Sequence, residues 1–281
     1  MTSVETTRFA PSPTGRLHLG HALAALFAAR EAGPHGTFLV RIEDIDLGRC
    51  REAFVAGIFE DLRWLGLAWP EPVWRQSHRF AAYAGALADL RARGLVYPCF
   101  CSRADIAREI AASAAAPQGP DGPLYPGTCR GLPHAEAERR IAAGEPHAWR
   151  LDVARALAGT PTLRWRDRDA GERTATPEIF GDAVLARRDT PTSYHLAVTV
   201  DDAAQGVTCV TRAADLAPAT HLHRLLQHLL GLPTPEYRFH PLLTDGAGKR
   251  LAKRDNAPAL ADLRAAGASR ADIRAMLGWD G

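Results

Sequence analysis

No stretch of eighteen or more apolar residues occurs in this sequence, so a membrane-spanning helix is not expected. Met1 to Thr7 is polar and has no apolar signal-peptide core, which makes the cytoplasm the expected compartment. Strong charge of one sign is also missing. With Lys and Arg numbering 34 against 32 Asp and Glu, the surface as a whole does not draw a polyanion, and nucleic-acid contact has to come from local patches. A paired-cysteine framework is absent too: the five cysteines are an odd number, and Cys99, Cys101 and Cys129 fall within one thirty-one-residue stretch. That clustering points to metal ligands rather than to a secreted disulfide scaffold. Internal repeats and low-complexity tails are lacking, and 46% hydrophobic residues argue against disorder. A chain of 281 residues buries a sizeable core, either as one large domain or as one domain with a smaller inserted one.

What is present follows the order of an α/β protein. Thr6 to Ala10 reads as a strand broken by Pro11 and Pro13, and Leu19 to Glu31 as an alanine-rich helix ended by Gly33-Pro34. In T-F-L-V-R-I-E-D, Phe38, Val40 and Ile42 alternate with Leu39, Arg41 and Glu43, the two-residue period of a strand, which completes a βαβ unit. Helical spacing follows through Phe54, Ile58, Leu62 and Leu65, then through Phe80, Tyr83, Leu87 and Leu90, where Gly94 closes the second helix. From 97 to 181 the texture shifts to prolines, glycines and clustered cysteines, which predicts an insertion between a first segment, 1–96, and a last one, 182–281. Parallel-strand character is then expected for both S-Y-H-L-A-V-T-V-D-D and G-V-T-C-V-T-R. A helix through Leu222, Leu225, Leu226, Leu229 and Leu230 follows, and two short helices end the chain, the second opened by Ser269 with Asp272 at capping-box spacing.

The stretch R-F-A-P-S-P-T-G-R-L-H-L-G-H, from Arg8 to His21, lies where the first strand hands over to the first helix. A Pro- and Gly-rich turn there aims backbone N–H groups and the positive helix end at an anion. His18 and His21 lie about one helical turn apart, close enough to face one ligand. Zinc is a poor alternative, because no acidic or thiol ligand adjoins the pair and H-E-x-x-H is absent; two surface histidines are the other alternative.

The whole stretch resembles the first signature of the class I aminoacyl-tRNA synthetases, in their glutamyl branch. R-I-E-D-I-D, D-D-A-A-Q-G-V-T and T-R-A-A-D-L are similar to that branch in the same order, so the resemblance covers nearly the whole chain. It implies a Rossmann-like α/β catalytic domain with an inserted zinc-bearing subdomain. The family's second signature, a mobile loop with a lysine for ATP phosphates, is matched by G-K-R-L-A-K-R-D, Gly248 to Asp255. Lys253 takes the place of the functional lysine, while Arg250 and Ala252 stand where the family often has lysine and serine. The implied reaction is amino-acid activation, in which the substrate carboxylate attacks the α-phosphorus of ATP without a catalytic base. Positioning and charge neutralisation suffice for it. The resemblance assigns His18, Gly20, His21 and Lys253 to ATP, with Mg²⁺, and His18, His21 and Lys253 to catalysis.

A buried side-chain carboxylate calls for a bidentate arginine, and Arg8 sits on the first strand at the expected pocket floor. Glutamine-specific relatives typically lack that arginine, so L-glutamate is the expected substrate. Glu43 ends the second strand near the edge where open α/β sheets bind ligands, and is the candidate for the substrate ammonium; a salt bridge to a neighbouring arginine is its alternative. Similarity adds Phe9, Ala10, Pro11 and Ser12 beside the substrate, with Tyr194 and Arg212 converging from the later half.

C-F-C at Cys99 and Cys101, with Y-P-G-T-C from Tyr125 to Cys129, offers three thiolates and a phenolate for one structural Zn²⁺. Chemistry alone prefers His134 to a phenol as the fourth ligand. The resemblance implies Tyr125, because the small glutamyl-transferring paralogues carry C-x-C and then Y-x-x-x-C. Cys50 and Cys209 have no such role.

After Arg254 only twenty-seven residues remain, fewer than the roughly 50 a domain needs, so no anticodon-binding domain is expected. A family of shortened paralogues, the glutamyl-queuosine tRNA(Asp) synthetases, resembles the chain in length, cysteine pattern and both signatures. It implies transfer of glutamate to the queuosine base at the wobble position of tRNA(Asp) by a monomer. Arg150, Arg164, Arg166, Arg168, Arg187 and Arg188, with Trp149 and Trp165, are candidates to hold a backbone and stack bases, or simply form a solvated face. The competing readings are a conventional core that charges a tRNA 3′ end and an inactive zinc-stabilised RNA-binding module.

Overall fold

The structure is a computed structural model and describes residues 4–112, 117–243 and 258–279. Its strands are β1 Thr6–Phe9, β2 Thr37–Ile42, β3 Trp74–Arg75, β4 Val96–Cys99, β5 Gln118–Gly119, β6 Gly122–Pro123, β7 Ala148–Leu151, β8 Arg164–Asp167, β9 Gly171–Thr174, β10 Val184–Arg187, β11 Cys209–Ala213 and β12 Glu236–His240. Its α-helices are α1 Leu19–Ala32, α2 Glu52–Trp64, α3 Phe80–Ala92, α4 Arg103–Ala112, α5 His134–Ala142, α6 Val153–Leu157, α7 Tyr194–Ala204, α8 Ala219–Leu229, α9 Leu260–Ala265 and α10 Arg270–Met276. Among the described residues no helix is long and apolar enough to cross a membrane.

The class is α/β with mixed sheets. β1, β2 and β3 are parallel neighbours, joined through α1 and α2, with Arg8 opposite Leu39 in the register. β11, β12 and β8 are likewise parallel, and β9 closes that sheet antiparallel to β8. The two sheets meet where Thr208 N donates to Thr6 O (2.9 Å) and Thr6 N to Thr208 Oγ1 (2.9 Å). From that junction the chain leaves β1 toward β2 and leaves β11 toward β12, in opposite directions. The carboxyl ends of β1 and β11 therefore border a crevice at the switch in strand order, where ligands of open α/β sheets bind.

Packing explains the rigidity of this edge. Thr7 Oγ1 donates to Ala28 O (2.7 Å) and ties α1 to β1. Leu23 and Leu26 of α1 share a core with Ile42, Ile58, Leu62, Leu260 and Ile273, so α9 and α10 are docked on the first βα unit. Each such side chain contributes roughly 1.5–3 kcal/mol on burial. The Ser269–Asp272 capping box at α10 is present as expected.

An antiparallel sheet, β10-β7-β4, lies next in the fold, and three ladders cross the 97–181 limits: β8 pairs with β12, β10 with β7, and β4, which begins at Val96, with β7 through Val96 opposite Leu151. One expectation is overturned. S-Y-H-L-A-V-T-V-D-D is not a strand but α7, capped by Ser193, whose Oγ accepts from Leu196 N (3.3 Å). Leu196 to Thr199, Asp201 and Asp202 are all buried. A helix buried on nearly every side loses its periodic signature, and its β-branched run then reads as a strand.

Candidate active site

At the start of α1 the two histidines cap the helix reciprocally. His18 Nδ1 accepts from Gly20 N (3.1 Å), and His21 Nδ1 accepts from His18 N (3.2 Å). A neutral imidazole that accepts at Nδ1 carries its proton at Nε2, so both rings present an Nε2–H donor. Their centroids are 3.9 Å apart. A Cβ at Gly20 would stand 3.0 Å from His18 Cε1, so a larger residue there would push the His18 ring from its place. No acidic residue occupies the first turn of α1, which leaves its positive end suited to an anion.

Across the crevice, Arg8 is 4% exposed. Its Nε donates to Asp202 Oδ1 (2.9 Å), Nη2 to Asp202 Oδ2 (3.3 Å) and Nη1 to Thr211 O (3.0 Å). Arg41 reaches the same carboxylate through Nη1 (2.8 Å) and donates to Glu43 Oε1 through Nη2 (3.1 Å). Burial works against the Asp202 anion, but Arg8 and Arg41 outweigh it and hold its pKa down to about 2. For Glu43 burial wins, and the pKa is raised despite Arg41 and Arg8. Arg212 is 5% exposed, and its Nη1 is hydrogen-bonded to His223 Nδ1 (2.8 Å).

Two cavities flank this network. The smaller, of about 320 Å³, is lined by Arg8, Phe9, Ala10, His18, Gly20, His21, Glu43, Tyr194 and Arg212, so nine of the residues expected from sequence converge on it. The larger, of about 610 Å³, takes Ser12 together with Glu43 and Tyr194, which line both. Pro11 lines neither; its carbonyl accepts from Glu43 N (3.0 Å) and fixes that strand end. Lys253 lies outside the described residues, as do Arg250 and Ala252. Leu242 and Leu243, before that stretch, line the smaller cavity, and Ala259, after it, bridges to His18.

The ligand atoms of Cys99, Cys101 and Cys129 lie within 4.8 Å of one another. Cys101 Sγ is 3.5 Å from Cys129 Sγ and 3.5 Å from Tyr125 Oη. A tetrahedral ion with Zn–S bonds of about 2.3 Å and a Zn–O bond of about 2.0 Å separates its ligands by about 3.8 and 3.5 Å, so the donor set fits a metal. His134, exposed at the start of α5, does not belong to that group.

The basic residues divide. Arg150 and Arg187 line the larger cavity, and Arg150 lies over the Tyr125 ring at 3.9 Å. Arg164 pairs with Glu172, Arg166 with Glu236, and Arg168 with Glu5 and Glu236. Trp165 is 6% exposed and packs on Tyr237 in the core, so it does not stack bases. Trp149 and Arg188 line a separate groove. Sequence reasoning gave no role to Asp202, His195, His223 or His240; only the D-D pair inside a motif hinted at the first.

The family model for class I tRNA synthetases (E and Q), catalytic domain, matches residues 4–279. A Rhodobacter capsulatus protein named Glutamyl-Q tRNA(Asp) synthetase is 53% identical over 97% of this chain and 99% of its own length. A Deinococcus radiodurans protein of the same name is 44% identical over 98% of this chain and 90% of its own. Among solved structures, a glutamate tRNA ligase from Elizabethkingia meningosepticum, in complex with its amino acid, superposes with a TM-score of 0.73 at 27% identity. The match covers 90% of this chain, which spans 52% of that ligase. The chain therefore belongs to the class I tRNA synthetases of the glutamyl and glutaminyl type, and groups within them with relatives named glutamyl-Q tRNA(Asp) synthetase.

Proposed function

We propose that this chain activates L-glutamate with ATP as glutamyl-adenylate and transfers the glutamyl group to the queuosine base at the wobble position of tRNA(Asp). One observation carries the reading: two Nε2–H donors at a helix N-terminus and two buried guanidinium groups open on a single crevice. The shared name of the relatives supports the acceptor.

In the first step the α-carboxylate of glutamate attacks the α-phosphorus, and the bond from that phosphorus to pyrophosphate breaks. The nucleophile is already an anion, so no base is required. His18 and His21 donate to phosphate oxygens, and Lys253 is assigned to the same charge. Mg²⁺ supplies further neutralisation when bound with ATP. Arg8 and Arg212 bind the carboxylates of glutamate, and Glu43 takes its ammonium group, whose charge restores the anion that burial disfavours. Phe9, Ala10, Pro11, Ser12, Gly20 and Tyr194 shape the walls.

In the second step a hydroxyl of the cyclopentene ring attacks the acyl carbon and AMP leaves. The larger cavity, sharing Glu43 and Tyr194 with the smaller, is our candidate for the acceptor base. Cys99, Cys101, Tyr125 and Cys129 hold a structural Zn²⁺. We read the protein as a cytoplasmic monomer, with 1–96 and 182–281 as catalytic unit and 97–181 as zinc-bearing subdomain, linked by the β8–β12 and β7–β10 ladders.

Glutamate-dependent ATP–pyrophosphate exchange tests activation, and absence of exchange overturns it. Labelled glutamate offered to tRNA(Asp) with and without queuosine, followed by nuclease mapping, tests the acceptor. Label at the 3′ end rather than in the anticodon loop overturns that half.

A further inference from the structure

Beyond the glutamate crevice a chain of side-chain hydrogen bonds runs from Arg212 to the opposite cavity. Arg212 Nη1 meets His223 Nδ1 (2.8 Å), His223 Nε2 meets His195 Nδ1 (3.0 Å), and His195 Nε2 meets Asp121 Oδ2 (3.2 Å). A guanidinium only donates, so His223 Nδ1 accepts and its proton sits on Nε2. That proton makes His195 Nδ1 an acceptor and leaves His195 Nε2–H to donate to the Asp121 carboxylate. Every bond has one direction, and a second proton on either ring would set two N–H groups against each other.

The setting agrees with a neutral His223. His223 is 1% exposed, and burial together with Arg212 pushes its pKa well below the ordinary range. The Asp121 pKa is lowered, chiefly by its hydrogen bond from His195. Arg212 Nε is buried and has no hydrogen-bond partner, so the chain grips this arginine at Nη1 and leaves other donors for a ligand. Asp121 lies in the turn between β5 and β6 and lines the larger cavity with His195, whereas Arg212 lines the smaller. The Tyr194 ring packs on both imidazoles, 5.4 Å from His195 and 5.7 Å from His223.

We propose that His223 and His195 are positioning residues whose one-way hydrogen-bond chain, from Arg212 to Asp121, holds Arg212 in the glutamate crevice and couples it to the β5–β6 hairpin at the larger cavity. The inference rests on the assignment of Arg212 to glutamate made above. An acceptor that displaces the hairpin then alters the grip on glutamate.

Steady-state ATP–pyrophosphate exchange tests it. His223→Leu removes both bonds, and the expected result is a rise of about tenfold in KM for glutamate with KM for ATP changed by less than about twofold. His223→Asn keeps an acceptor near the Nδ1 position and recovers most of that loss. Asp121→Ala, on a side chain exposed enough to leave folding intact, raises KM for glutamate about threefold, and Asp121→Asn, which still accepts from His195, recovers it. An unchanged KM for glutamate in Asp121→Ala, or an equal rise for both substrates in a folded His223→Leu, overturns the chain while wild-type exchange leaves glutamate activation standing. Absence of exchange in the wild type overturns both.

Discussion

Around the smaller cavity, polar groups are held by partners from distant elements, whereas Cys99 at the end of β4, Cys101 just after it, Tyr125 and Cys129 converge on one another. Arg8 of β1 and Arg41 of β2 share the carboxylate of Asp202 of α7, and Arg41 also pairs with Glu43, so these buried cations meet anions supplied by the chain itself. The cysteine group has no such internal balance: burial pushes the Cys101 thiol up to about 11, and a bound cation is what would hold it as thiolate. One region is organised by opposite charges already in the chain, whereas the other groups donors that could hold a metal ion.

The largest effect expected from breaking this contrast is at Asp202. Asp202→Asn removes the carboxylate that Arg8 and Arg41 share and leaves Arg41, among the described residues, with Glu43 as the one carboxylate at hydrogen-bond distance, and urea unfolding should register a loss of about 3–5 kcal/mol together with loss of exchange activity. Wild-type stability in that variant would refute the charge-balance account. Acid provides the next test. The Asp202 pKa is depressed from an ordinary value of 3.8 to about 2, so its stabilisation is present above about pH 4 and is lost as pH falls through about 2. Urea unfolding between pH 5 and pH 2 should lose about 2 kcal/mol through this group, a component missing from Asp202→Asn.

The cysteine region should respond in another way. Cys129→Ser, or removal of metal by a chelator, is expected to release one equivalent of zinc by metal analysis and to cut transfer to tRNA about tenfold, with exchange changed by less than about threefold. Equal loss of both activities would show that the two regions are not separable. The smallest effect is local: Gly20→Ala pushes a methyl group to 3.0 Å from His18 Cε1 and should lower kcat of exchange about fivefold while thermal unfolding stays within about 2 °C of wild type.

The β1–α1–β2 unit was readable because its signals are local: prolines after the strand, alternation in T-F-L-V-R-I, and two histidines about one turn apart at the start of the helix. Each half of the cysteine group, C-x-C and Y-x-x-x-C, is local for the same reason, but the two halves, 24 to 28 residues apart, come together only in the fold. α7 was not, because burial of Leu196 to Thr199 erased the helical period. Trp165, flanked in sequence by arginines, reads there as a candidate to stack bases, yet its neighbours in space are Tyr237 and Phe239.

By itself, the sequence determined which chemical groups this protein owns and how those within a helical turn of each other are arranged: the paired histidines, Gly20 between them, the thiols and the strand-borne Arg8. Only the tertiary structure decided that Arg8 is balanced by Asp202, and that Arg212 orders a histidine chain ending at Asp121. The physical reason is separation along the chain. Arg8 and Asp202 are 194 positions apart, and nothing in local spacing selects one buried carboxylate over another until the strands and helices between them have packed.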